Sequence, residues 1–193
     1  MSNYHRVRTP GGTWFFTVNL SHRGSDLLVR EIERPRAAAS AVRRRYPFTL
    51  EAAVVLPDHL HAIMRLPAGD SDFPLRWRYF KTLFVRSLPA TEPIALNRQR
   101  RGERGIWQRR YWEHLIRDQR DFEAHLDYVH FKPITHGLVN RVRDWPHSSF
   151  HRYVKTGVLP IDWGGDQSAL VSVDWGEQNE IAKSCRVHLD APS

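Results

Sequence analysis

The sequence predicts an α+β sandwich: one mostly antiparallel sheet with helices packed on it, the strand order left open. Three observations predict it. Strand-length runs of β-branched and aromatic residues alternate with stretches of helical spacing. Two of the strand-like runs are separated only by Pro57-Asp58, a break short enough for a hairpin. The 193 residues, 41% hydrophobic and 11% aromatic, suffice for one core and hardly for two.

In chain order, Gly11-Gly12 makes a turn before a first strand, Thr13 to Leu20. Pro35 suits the first turn of a helix that carries Ala37 to Arg45. Phe48 to Leu56 reads as a second strand, and His59 to Leu66 as a third pairing back on it. Phe73, Trp77, Phe80, Phe84 and Leu88 recur at helical spacing. Pro89 to Gly105 is rich in charge, proline and glycine and reads as a mobile basic loop. Trp107 to Ile116 is a weak strand. Asp118 to Lys132 reads as a helix stopped by Pro133, with a turn opening at Gly137. The expected domain is 1–165, followed by a loosely held tail, 166–193.

Charge points to the partner. The net charge is +8 and the isoelectric point about 10.1. Eight arginines between Arg98 and Arg120 face only Glu103, Glu113 and Asp118, a local excess of +5. Such a stretch suits phosphates, because Lys and Arg displace their condensed counterions, although a solvated basic face has the same composition. No apolar run approaches the roughly 20 residues of a membrane helix. The N-terminus does not read as a secretory signal. A single cysteine, Cys185, excludes an internal disulfide and fits a reducing cytoplasm.

Two constellations carry chemistry. In Leu56-Pro57-Asp58-His59-Leu60-His61 the strand alternation puts His59 and His61 on one face, about 7 Å apart at their Cα atoms. Two imidazoles so placed can converge on a cation, or can simply meet water on a wet face. Asp58 reads first as a turn residue and second as an acceptor for a histidine ring. In the helix beginning near Asp121, the residues Phe122, Leu126 and Val129 form the packing face. Tyr128 falls on a flank with Asp121, His125 and Lys132. A phenol there could attack phosphorus if a cation or base helps it ionise, or could be a boundary tyrosine.

Five separated segments, in order, match one family. They are Gly11 to Leu20, Val54 to His61, Trp107-Gln108-Arg109-Arg110-Tyr111-Trp112-Glu113-His114, Asp127-Tyr128-Val129 with Pro133-Ile134-Thr135-His136-Gly137, and Asp144 to Arg152. From about Tyr4 to Gly165 the chain resembles the REP-associated tyrosine transposases. These are relatives of the single-tyrosine insertion-sequence transposases among the His-hydrophobe-His endonucleases. The resemblance implies a ferredoxin-like or RRM-like fold and Mg²⁺ or Mn²⁺ held by His59 and His61. It implies Tyr128 as nucleophile on single-stranded DNA, leaving a 5′-phosphotyrosine and a free 3′-hydroxyl. It implies hairpins of repetitive extragenic palindromes as partner, a monomer, and a cytoplasmic, nucleoid-associated location. One position departs from the pattern: the family's Asn before the helix proline is Lys132 here. An ammonium cannot ligate a cation, so water, His125, or Lys132 acting directly on the phosphate would fill that role.

Further DNA contacts are expected from Arg98, Arg100, Arg101, Arg104, Arg109 and Arg110, with Arg76, Arg78 and Lys81 extending the track. Asn19 and Arg23 are candidate base readers, and Trp14, Trp77, Trp107 and Trp112 candidate stacking platforms. Tyr111 is the second candidate nucleophile. The competing functions are a non-catalytic hairpin-binding protein and a hydrolase in which His59 and His61 activate water.

Overall fold

The computed structural model describes residues 9–89 and 105–164. The expected basic residues Arg98, Arg100, Arg101 and Arg104, and the 166–193 segment, lie outside them. Four strands form one sheet: β1 (Thr13–Asn19), β2 (Thr49–Val55), β3 (His59–Arg65) and β4 (Trp112–Leu115). Their order is β2-β3-β1-β4, and all neighbours are antiparallel. The β2–β3 connection is the hairpin marked by Pro57-Asp58, closed by Leu56 N–H donating to the His59 carbonyl at 2.9 Å. The long strand expected over 107–116 shrinks to β4. Trp107 keeps only an isolated bridge to Leu20.

After the short helix α1 (Leu27–Arg30), α2 (Glu33–Arg45) connects β1 to β2, and α3 (Phe73–Ser87) lies between β3 and β4. Both pack on the same side of the sheet. Their apolar stripes, Pro35, Ala38 and Val42 on α2 and Phe73, Trp77, Phe80 and Phe84 on α3, meet Trp14, Phe16, Val18, Leu60, Ala62 and Met64. This is the ferredoxin-like arrangement.

The opposite side is covered by α4 (Gln119–Thr135). There the alternate residues Phe15, Ile63, Ala52 and Val54 take Leu126, Tyr128 and Val129. The helix does not stop at Pro133; it runs one turn further. The turn is closed by Leu138 N–H on the Pro133 carbonyl (3.0 Å), with Gly137 in the left-handed region at φ 66°. A proline forfeits one helical hydrogen bond, and the buried surroundings of residues 125–133 hold the helix together past it.

A segment not expected as structure, a 3₁₀ turn (Val142–Asp144) and α5 (Phe150–Lys155), covers the outer edge of β2. Val55 N–H donates to the His147 carbonyl (2.9 Å), Ser149 N–H to the Ala53 carbonyl (2.8 Å), and Trp145 Nε1–H to the Val55 carbonyl (3.0 Å). Arg152 and the Tyr153 hydroxyl take the carbonyls of Leu50 and Glu51. Edge groups that would invite a foreign strand are thereby used up. No helix among the described residues is long and apolar enough to cross a membrane.

Candidate active site

The register sets the site. Thr17 lies opposite His61, and Asn19 opposite His59, on the side of the sheet that faces α4. His61 is fully buried and His59 nearly so. Their rings stand edge to face, 5.0 Å apart. Each ring is held at Nδ1. His59 Nδ1–H donates to Asp58 Oδ1 at 2.6 Å, and His61 Nδ1 shares a 3.0 Å hydrogen bond with Thr17 Oγ1. His59 Nε2 is a buried nitrogen with no hydrogen-bond partner among the described residues.

Asp58 is therefore more than the turn residue it was first read to be. Its Oδ2 accepts from Gly24 N–H (2.9 Å) and lies 3.3 Å from Arg23 Nε. Burial alone would raise its pKa, but the hydrogen bonds from His59 and Gly24 and the charges of His59 and Arg23 prevail, bringing it down to about 2. A permanently ionised carboxylate fixes the orientation of the His59 ring. Burial, and then electrostatic interactions with His59, Lys132, His136 and Arg23, push the His61 pKa well below the ordinary value. His61 is consequently a neutral imidazole.

The tyrosine comes to meet them. Tyr128 is 5% exposed, on the packing side of α4 and not on a flank. The helix sinks between the sheet and the 142–150 segment, so its C-terminal half is buried almost all round. The Tyr128 ring stands edge-on to His61 at 5.1 Å and to Phe15 at 5.6 Å. One turn on, the buried Lys132 places its ammonium 4.5 Å from the centre of the Tyr128 ring. The extra turn past Pro133 brings in His136, whose ring lies 5.0 Å from that of His59. Sequence reasoning missed His136 because it ended the helix at Lys132. His125, grouped with Tyr128 on helical spacing, turns its Nδ1 to Asp121 and stacks on His114 (4.6 Å), with Phe15 touching both His125 and His61.

A divalent cation fits the donor set of His59 and His61 through the orphaned Nε2 of His59 and the neutral state of His61. Imidazoles of this kind suit Mn²⁺ or a later transition ion better than Mg²⁺, which prefers oxygen. The buried Lys132 works against any cation there. Among the described residues, a three-donor group within 4.8 Å occurs elsewhere, at His114, Asp121 and His125.

Several expected DNA contacts are structural. Arg76 is buried, with Asp70 Oδ2 at 2.6 Å, and it donates to the carbonyls of Pro47 (2.7 Å), Asp72 (3.0 Å) and Tyr46 (3.3 Å). Lys81 donates to the Gln108 carbonyl at 2.8 Å and lies over the Tyr111 ring. Both sit with the exposed Arg78 on α3, on the far side of the sheet from Tyr128. Tyr111 packs on that far side against Phe16 and Trp77, so it cannot replace Tyr128. Trp14, Trp77 and Trp107 are core residues, whereas Trp112 is half-buried on the α4 side. Asn19 Oδ1 accepts from Arg23 Nη1 at 2.8 Å, which ties both to the Asp58 network. Arg109 and Arg110 are exposed.

No protein-family profile matches the chain. Individual proteins do. The REP-associated tyrosine transposase of Escherichia coli (strain K12) is 46% identical over 166 residues, 86% of this chain and 93% of that protein. A Haemophilus influenzae relative provisionally given the same description is 46% identical over 175 residues, 90% of this chain and 99% of its own. A solved structure, described as the REP-associated tyrosine transposase bound to a REP hairpin, superposes with a TM-score of 0.75 at 46% identity. It covers 86% of this chain and 93% of that one. Sheet, tyrosine helix and relatives thus define a transposase-type DNA-processing protein. More narrowly, the chain belongs to the REP-associated tyrosine transposase family.

Proposed function

We propose that this chain is a single-strand DNA endonuclease and strand-transferase acting on hairpins of repetitive extragenic palindromes, with Tyr128 as the attacking group. The carrying observation is the convergence of His61 on Tyr128 at 5.1 Å, with His59 a further 5.0 Å along the same strand face. The relative solved with a REP hairpin supports the choice of substrate.

In this reading Tyr128 Oη forms a bond to the scissile phosphorus while the phosphorus–O3′ bond breaks. The phenol loses its proton, the 3′ oxygen gains one, and a 5′-phosphotyrosine remains. The new ester keeps the energy of the broken one, so rejoining is the reverse attack and needs no nucleotide cofactor. His59 and His61, with His136 within reach, would hold a Mn²⁺ or Mg²⁺ ion. When bound, the ion withdraws charge from the phosphate oxygens. Lys132 lies against the phenol ring, 4.5 Å from its centre, and would offset negative charge that gathers there during the attack. Arg109 and Arg110 would hold the backbone. In this reading the protein acts as a monomer on the chromosome in the cytoplasm.

The test is a denaturing gel after incubating the protein with a single-stranded palindrome hairpin and Mn²⁺. The expected product is a covalent DNA–protein band that Tyr128→Phe lacks and Tyr111→Phe keeps. Cleaved DNA with no adduct would instead mean water activation by the histidines. Bound but intact hairpin would mean a non-catalytic binder.

A further inference from the structure

The described residues contain one tight group of metal-ligating side chains that the proposed chemistry does not use. It lies where β4 meets the first turn of α4. His114 Nε2–H donates to Asp121 Oδ2 at 2.9 Å. His125 Nδ1 lies 2.9 Å from Asp121 Oδ1 and donates to the Asp121 carbonyl at 2.7 Å. All three ligand atoms fall within 4.8 Å of one another. We infer that His114, Asp121 and His125 form a second metal site, of the class that takes zinc, stapling β4 to the helix that bears Tyr128.

Three features argue for a built site. The first is orientation. The two imidazoles stack at 4.6 Å with planes 15° apart, and Trp112 stacks under His114 at 5.8 Å with planes 4° apart. Rings so packed cannot turn away. The second is the fixed carboxylate. Asp121 N–H is taken by the cap residue Asp118 at 2.8 Å, and Asp121 Oδ2 also accepts from Arg117 N–H at 3.0 Å. Partners behind a ligand are what metal sites ordinarily have. The third is access. The side chains of His125 and Asp121 are 3% and 12% exposed, while that of His114 is 26% exposed. Among the described residues, the His114 side is the most open to a fourth ligand, water or a phosphate oxygen.

Two nitrogens and one carboxylate oxygen form the three-ligand set that leaves zinc an open position. Tetrahedral ligand atoms about 2.0–2.1 Å from zinc stand roughly 3.3 Å apart. The two 2.9 Å separations run to different oxygens of Asp121 and need to open by only a few tenths, while the remaining separation within the set, under 4.8 Å, would close on the ion. On binding, each neutral ring carries its proton on the other nitrogen. The opposing charge of Arg117, with Nε 3.4 Å from Asp121 Oδ2, sits on a side chain 74% exposed that can swing into water.

The inference does not rest on the nuclease reading, and its test needs no DNA. Zinc at about a hundredfold excess over its Kd should raise the melting temperature by about 5–10 °C. His114→Gln should lose that shift while keeping the Mn²⁺ binding read by electron paramagnetic resonance. In crystals of the native protein soaked in zinc, an anomalous peak should lie about 2.0–2.2 Å from His114 Nε2. Anomalous density only at His59 and His61, density nowhere, or an undiminished thermal shift in His114→Gln would overturn it. The crystal measurement decides even if the variant fails to fold.

Discussion

Asp58 joins the backbone to the chemistry. Its carbonyl accepts from Leu20 N–H, and its carboxylate holds His59, Gly24 and Arg23. Asp58→Asn keeps the shape but gives up the charge that orients the ring. Adduct formation should fall about 10–100-fold with little change in melting temperature. A rate within twofold of the native one would remove Asp58 from the mechanism. Lys132 gives the opposite expectation. Removing its ammonium in Lys132→Asn relieves repulsion at His61, so Mn²⁺ should bind more tightly; an unchanged or weaker titration refutes this. His130 is one source of acid sensitivity, beside His61. It is fully buried, shares a 2.9 Å hydrogen bond with Ser149 Oγ, and its pKa is driven to about 3 by burial first and then by the charges of Arg152 and His151. In the unfolded chain the ring takes a proton near pH 6.5, whereas the folded protein refuses it until about pH 3. Unfolding therefore binds a proton in that window, and stability falls as pH drops through it. His130→Gln should flatten the decline of melting temperature below pH 6.5; parallel curves for the two proteins would exclude His130 as its source.

Among elements, α4 shows what was legible and what was not. Its start at the Asp118 cap, and the inward face of Phe122, Leu126 and Val129, follow from caps and period. Its end does not, because proline usually stops a helix and local rules cannot weigh the packing that carries this one onward. Missing that turn meant missing His136. The Tyr128 side was misjudged for a related reason: helical spacing ranks faces against a single layer, and this helix has cover on two. Gly137 ends the extra turn with nothing within 4 Å of where a Cβ would stand, so its φ of 66° is the whole cost of replacement. Gly137→Ala should lower stability by about 1–2 kcal/mol in urea unfolding. A loss below roughly 0.3 kcal/mol would mean the turn tolerates a side chain and the helix end is set by other contacts. On α3 the period was legible, but the fate of its cations was not. Arg76 looked like a phosphate contact, yet its donors close the 46–47 turn from inside. Arg76→Met should cost about 2–4 kcal/mol, because the Tyr46 and Pro47 carbonyls would lose their donors.

For the molecule as a whole, the sandwich was readable from alternating segments, and the hairpin that presents His59 and His61 from Pro57-Asp58 alone. The partition of the sheet into two sides was implicit in the alternation of β1 and β3. Strand order and the cover on β2 were not, since they depend on pairings between residues roughly a hundred positions apart. The Tyr128–His61 meeting was legible only through the resemblance; neither segment alone distinguishes a nucleophile from a packed phenol.

The helix carrying Tyr128 is anchored at both ends. Asp121 is tied to β4, and the 133–138 turn and the Ser149–His130 bond hold the far end. In mechanical terms it is a beam clamped at each support with its cargo near mid-span. Any pull along a DNA strand joined to that phenol would pass into the sheet without rotating the tyrosine. The broken end would then stay in register with its rejoining partner for as long as the link lasts.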